Sequence, residues 1–248
     1  MANSTDVGGS LRLRLLGGFT LSRESEEVEL PMSAQRLVAL LALCERPLSR
    51  IYLAGVLWPD YSAERSLADL RTALWRANRI ASVVATAGVR MYLRADVQVD
   101  VRALAAFGRA ADRSGRSVIA HLVGMSWSDL SLDLLPDWFD DWLVDEREAV
   151  RQLRLHALER LTDELSLRGR HSEAIQAAIA AVRLEPMRET AHAALIRAHI
   201  AEGNRSEALR QFHRCRAMLA AELAVEPSES IWQLIFQPGS ASRIQSVG

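Results

Sequence analysis

The sequence predicts a mainly α chain with a small β component, arranged as two successive domains. Three observations lead there. Residues 11–30 alternate apolar and polar side chains, the period of half-buried strands. Three helical patterns and a glycine-centred hairpin follow before residue 100. Past Val101 apolar residues recur at spacings of three and four almost to the end.

The elements follow in order. Leu11, Leu13 and Leu15 alternate with Arg12 and Arg14, Gly17-Gly18 turns the chain, and Phe19, Leu21, Val28 and Leu30 continue the period of two. Short antiparallel strands are expected there. Ser33 is expected to cap a helix carrying Leu37, Val38, Leu40, Leu41 and Cys44, stopped by Pro47. Ser49 caps a second helix with Leu53, Val56 and Leu57, ended by Pro59. Ser62 caps a third, running to about Ile80. Val83-Val84, Gly88 and Met91 to Leu93 read as a β-hairpin. Strands, three helices and a hairpin in this order make a winged helix-turn-helix with an extra N-terminal sheet.

The second half holds an internal repeat. Gly169-Arg-His-Ser-Glu-Ala-Ile175 matches Gly203-Asn-Arg-Ser-Glu-Ala-Leu209, 34 residues apart, the tetratricopeptide period. Each glycine ends a helix, Ser172 or Ser206 is expected to cap the next, and Ala174 or Ala208 lets two helices approach closely. The later pairs Glu185-Pro186 and Glu226-Pro227 are 41 apart, so the last unit is longer. A tetratricopeptide-like repeat domain is expected. The expected divisions are a loose N-terminus at 1–10, a winged-helix domain at 11–100, a helical-repeat domain at 101–236 and a flexible tail at 237–248.

Composition narrows the function. The 248 residues are 49% hydrophobic and 25% charged, which suits packed domains. No apolar run nears the roughly 18 residues of a membrane span, and MANSTDVGGS lacks the layout of a signal peptide. A cytoplasmic location without membrane partners is expected, with Cys44 and Cys215 as buried free thiols. The formal charge is −1, yet from Arg50 to Arg94 seven arginines stand against Asp60, Glu64 and Asp69. A compact basic stretch in a neutral chain suits nucleic acid.

That stretch contains a two-faced helix. At 100° per residue, Leu67, Leu70 and Leu74 fall on one side of the third helix. Arg65, Thr72, Arg76 and Arg79 fall on the other, with Ser66 and Arg71 flanking and Trp75 at the margin. Arginine forks suit guanine O6 and N7 or a phosphate. In a winged helix the third helix enters the major groove and the hairpin reaches an adjacent groove or backbone. Arg65, Thr72 and Arg76 are therefore candidates for base edges, and Arg50, Arg71, Arg79, Arg90 and Arg94 for phosphates. Ser66 and Trp75 complete the candidate DNA-binding set. An ordinary solvated face is the alternative.

The segments LRLRLLGGFTL, AQRLVALLAL, LSRIYLAGVLWPD, ERSLADLRTALWRANR and VVATAGVRMYLRADVQVDV resemble the antibiotic-regulatory-protein (SARP) family of actinobacterial activators, of the small type. The second half, from DWLVDEREAVRQLRLHALERL to ELAVEPS, resembles that family's bacterial transcriptional activation domain. The resemblance implies an OmpR-type winged helix, binding of double-stranded DNA at promoter repeats, and recruitment of RNA polymerase holoenzyme. It also suggests control of secondary metabolism. A homodimer on DNA fits repeated half-sites.

Other features stay with the ordinary reading. Asp137, Asp140, Asp141, Asp145, Glu146 and Glu148 interleave with aromatic residues and suit an amphipathic helix start, or a contact for a basic partner. His192, His199 and His213 lack the convergent spacing of a zinc site. No Gly-x-x-x-x-Gly-Lys loop, nucleophile elbow or dinucleotide fingerprint occurs, so neither catalysis nor a cofactor nor a metal is expected. The rival readings are a tetratricopeptide-like adaptor with a degenerate DNA-binding domain, and a ligand sensor.

Overall fold

The computed structural model describes residues 10–111 and 128–236. The expectations for residues 1–9 and for the tail from 237 lie outside the described residues. The chain falls into two compact units. Of the described residues, one takes those to Ala110 and Leu132–Val150; the other takes Ala111, those from 128 to Ser131, and Arg151–Phe236.

The first unit opens on a four-stranded sheet. β1 (Leu11–Arg14) pairs antiparallel with β2 (Thr20–Arg23), and β2 pairs with β3 (Glu26–Glu27). β7 (Gln98–Val99) joins β1 on its other side, in parallel. Leu11 and Leu13 point inward while Arg12 and Arg14 face solvent, so the alternation of β1 is the burial pattern itself. Val28 and Leu30 fall beyond β3 rather than within a strand. Gly17 takes φ +80°, and a Cβ there would lie 2.9 Å from Leu132 Cδ1, so the turn has no room for a side chain.

The carboxylate of Asp100 holds this end of the unit together. Its Oδ2 accepts the backbone N–H groups of Leu15 and Leu16 at 2.8 and 2.9 Å, and its Oδ1 accepts that of Val101 at 2.7 Å. Burial nevertheless pushes its carboxyl above the usual carboxylate range. Asp100 opens α4 (Asp100–Ala111), whose Arg102 caps the last carbonyls of α1 (Met32–Leu43) through Ala42 and Leu41, both 2.9 Å away. Leu16 bridges to Leu134, and Phe19 stacks on Trp138. By compactness the first unit runs to Ala110 and takes in Leu132–Val150. The acidic stretch contributes here too, because Arg36 of α1 pairs with Asp140.

α1 is buried nearly all round, through Ala34, Leu37, Val38, Ala39, Leu40, Leu41 and Ala42. Its cap differs from expectation. Pro31 takes the N-cap position without a side-chain bond, and Ser33 lies inside the helix. β4 (Leu48–Ser49), β6 (Arg90–Leu93) and β5 (Val84–Ala87) form a three-stranded sheet in that order. Between β4 and β5 come α2 (Arg50–Leu57) and α3 (Ala63–Ile80). Ser49 and Ser62 cap them as expected, accepting from the N–H groups of Tyr52 and Arg65.

The second unit is helical. It holds most of α5 (Leu143–Leu167), then α6 (His171–Leu184), α7 (Glu189–Ala201), α8 (Arg205–Leu223) and α9 (Glu229–Phe236). The 34-residue repeat is visible as two matching helix ends. Gly169 and Gly203 both take positive φ, and the following N–H groups reach back to Leu165 and His199 at 2.9 and 2.8 Å. Ala174 and Ala208 are fully buried. Ser172 and Ser206 are not caps, because the helices start one residue before each; Asn204 caps α8 instead. His192 is buried and doubly engaged. Its Nε2 donates to the Pro186 carbonyl at 2.8 Å and its Nδ1 accepts from Gln211 Nε2 at 2.6 Å. Phe212, Cys215, Leu219, Ile231 and Ile235 form the core beside it. Both cysteines are free, and burial pushes Cys215 up to about 11. Cys44 is only partly covered, against the expectation of burial, because it sits at the C-terminal edge of α1.

Candidate nucleic-acid interface

The buried stripe of α3 is Ser66, Leu70, Ala73 and Ala77, with Leu67 and Leu74 only half-buried. This corrects the expected Leu67–Leu70–Leu74 stripe and turns the helix by about 60° at 100° per residue. Small residues on the buried line let α3 sit close to its neighbours, and the leucines fill its edge. Ser66 is corrected with it. At 2% exposure it is part of the interior, its hydroxyl 3.1 Å from the carbonyls of both Trp58 and Ser62. It ties the end of α2 to the start of α3 and has no surface to offer a duplex.

The rotation simplifies the outward face. Arg65, Arg71, Thr72, Trp75, Arg76 and Arg79 are all exposed, while Asp69 moves to the half-buried edge. Trp75, expected at the margin, is 58% exposed. Two arginines are steadied by aromatic rings. The Arg65 guanidinium lies 4.2 Å from the centre of the Tyr61 ring, and that of Arg79 lies 5.1 Å from the Trp75 ring. The side chains of Arg71 and Arg76 have no hydrogen-bond or ion-pair partner among the described residues. Thr72 Oγ1 donates to the Ala68 carbonyl at 3.1 Å.

The hairpin of β5 and β6 is fastened to the last turn of α3. Asn78 donates through Nδ2 to the Val84 carbonyl at 2.8 Å and accepts the Val84 N–H through Oδ1 at 2.9 Å. Arg23 adds a bond to the Ala81 carbonyl at 3.2 Å. At the hairpin tip Gly88 takes φ +58° and Val89 is 71% exposed. Arg90 beside it is exposed, its side chain unpartnered among the described residues.

Two basic candidates are placed differently. Arg50 is half-buried where α2 begins, its backbone N–H donating to Val89 at 3.2 Å and its Nε covered without a partner. Arg94 is already engaged. Its Nε and Nη2 grip Asp96 at 2.9 and 2.7 Å, and Nη1 reaches Ser82 at 3.4 Å. That grip holds the Asp96 carboxyl below its usual range. Arg94 would have to release Asp96 to meet a phosphate, so it is a weaker candidate than Arg90. Tyr61 and Asn78 escaped the sequence reading. An aromatic residue four before an arginine in the helix's opening turn was the available signal for Tyr61. Asn78 had no comparable signal.

Among the described residues no group of three or more His, Cys, Asp and Glu side chains is placed to hold a metal ion. No described helix is long and apolar enough to cross a membrane.

Residues 124–236 match the family described as bacterial transcriptional activator domain. The chain is also similar to Regulatory protein AfsR of Streptomyces griseus, with 29% identity over 239 residues, and to Regulatory protein AfsR of Streptomyces coelicolor, with 26% over 240. These alignments cover 91% and 92% of this chain but 24% of each relative, so the chain spans about a quarter of their length. Among solved structures, Mycobacterium tuberculosis EmbR in complex with low affinity phosphopeptide shares the fold, with a TM-score of 0.67 and 23% identity. That match covers 92% of this chain and 64% of the other. Residues 124–236 thus carry a match to a bacterial transcriptional activator domain, and over about nine-tenths of its length the chain is similar to the two AfsR proteins and shares the fold of EmbR.

Proposed function

We propose that the chain is a sequence-specific DNA-binding regulator that binds promoter repeats through residues 11–100 and recruits RNA polymerase through residues 101–236. The observation that carries this reading is the outward face of α3. Arg65, Arg71, Arg76 and Arg79 stand exposed on the third helix of a winged helix, with Asp69 turned toward the edge and Glu64 the exposed acid of the opening turn. Such a face suits the major groove, and Arg90 at the hairpin tip suits the neighbouring backbone. Arg50 and Arg94 are secondary phosphate candidates.

The activator domain match supports the polymerase-contacting role of the second half. The resemblance of the sequence to the antibiotic-regulatory-protein family supports genes of secondary metabolism as targets and the cytoplasm as the location. One winged helix buries little surface, so two copies on adjacent half-sites suit a selective complex. No catalytic step is assigned.

The test is selection of duplexes from a randomised library with the whole chain, followed by footprinting of the enriched sites at low and raised salt. An enriched motif whose binding weakens steeply with salt supports the reading. Absence of any enriched or protected sequence at low salt overturns it.

A further inference from the structure

We propose that Thr72 reads a thymine–adenine pair through its methyl group, an assignment that rests on the DNA-reading role of α3 proposed above. A threonine hydroxyl has one proton to give. In Thr72 that proton goes to the Ala68 carbonyl, 3.1 Å away on the preceding turn. The side chain is exposed on the outward face, so what it offers a ligand is the Cγ2 methyl and the remaining lone pairs of Oγ1.

The four base pairs answer that offer differently. Guanine presents only acceptors, N7 and O6, in the major groove, and Thr72 has no donor left for them. Cytosine offers an N4 donor but no methyl. Thymine offers its C5-methyl, and the paired adenine offers an N6 donor to the Oγ1 lone pair. Only the thymine–adenine pair meets both halves of the side chain.

The neighbours on the same row sharpen this. Ala68, one turn earlier, places another methyl beside Thr72 and carries no charge to compete. Arg76, one turn later, is exposed and unpartnered among the described residues, and its fork suits guanine. Four helical residues advance about 6 Å, close to two base-pair steps. The selected motif therefore carries its thymine about two positions from the guanine read by Arg76.

The test uses the whole chain and the duplex it selects. Each thymine is replaced singly by uracil, which removes the C5-methyl and leaves every hydrogen-bonding group in place. One such replacement is expected to lower wild-type affinity about fourfold, the worth of one buried methyl. Thr72→Ser keeps the hydroxyl but lacks the methyl, so it binds the thymine and uracil duplexes alike. Thr72→Val keeps the methyl and retains the difference, which also shows that a substituted helix still folds and binds. If wild type binds every uracil-substituted duplex as tightly as the parent, or if Thr72→Ser keeps the full difference, the assignment is wrong while DNA reading stands. If no duplex is enriched at all, DNA reading fails and takes this assignment with it.

Discussion

Arginine is the chain's sole cationic side chain at neutral pH, yet the ion pairs of the helical unit and the outward face of α3 use it differently. In the helical unit many guanidiniums are matched to carboxylates, although Arg183 and Arg214 are exposed with no hydrogen-bond or ion-pair partner among the described residues. Arg151 pairs with Glu185, Arg170 with Glu173, Arg188 with Glu159, Arg197 with Asp163, Arg210 with Glu207 and Arg216 with Glu226. On α3, Arg65 and Arg79 lie over aromatic rings, and Arg71 and Arg76 have no partner among the described residues. A ring orients a guanidinium without neutralising it; a carboxylate does both. The lesson is that a net charge of −1 says little about where positive potential lies. What matters is which arginines have already been answered inside the molecule.

The contrast can be broken in several places. The largest expected effect is on the helical unit's own packing. Phe212 is fully buried, with Trp232 and Phe236 edge-on to its ring. Phe212→Ala is expected to cost about 3–5 kcal/mol in urea unfolding. On α3 the order reverses. Arg76→Ala is expected to lower affinity for the selected duplex by about 1–3 kcal/mol and to change stability by less than about 0.5 kcal/mol. A loss of stability equal to the loss of binding would show that Arg76 supports the fold.

A third expectation concerns pH. Burial holds the pKa of His192 below its ordinary 6.5, so the unfolded chain takes up a proton first as pH falls. Stability from this group is complete above the unfolded value. It declines between there and the depressed folded value, with a slope of at most about 1.4 kcal/mol per pH unit. Gln in place of His192 can still donate to Pro186 and accept from Gln211, but it does not titrate. Urea midpoints of His192→Gln should therefore fall less than those of wild type from pH 7.5 to 5.5; parallel profiles would remove His192 as the cause. The smallest effect belongs to a surface pair. Arg197→Ala should cost under about 1 kcal/mol of stability and leave duplex affinity unchanged. A clear loss of binding there would end the division of labour between paired and unpaired arginines.

Much of the architecture was legible because periodicity and punctuation carry it. The alternation of β1, the caps at Ser49 and Ser62, the hairpin around Gly88 and the matched helix ends at Gly169 and Gly203 all lie where the residues indicated. The errors share a cause. Apolarity pointed to Leu67 and Leu74, but close approach favoured Ser66, Ala73 and Ala77. A serine can lie inside because a local carbonyl takes its proton, which hydropathy does not register. Ser33, Ser172 and Ser206 were mistaken for caps because a serine one residue into a helix resembles one just before it. The grip of Arg94 on Asp96 depends on the bend after β6, and the hold of Asn78 on Val84 depends on where the chain returns after α3. Neither follows from residue type.

The double bond between Asn78 and Val84 has a mechanical corollary. It clamps the hairpin to the probe helix like the fixed jaw of a caliper, so the gap between them cannot easily be reset to suit each duplex. In the proposed complex any mismatch in groove width would fall on the DNA, where stiff and pliant steps differ in the energy of yielding. Bases that no side chain touches would be sorted by how readily they bend to that preset gauge.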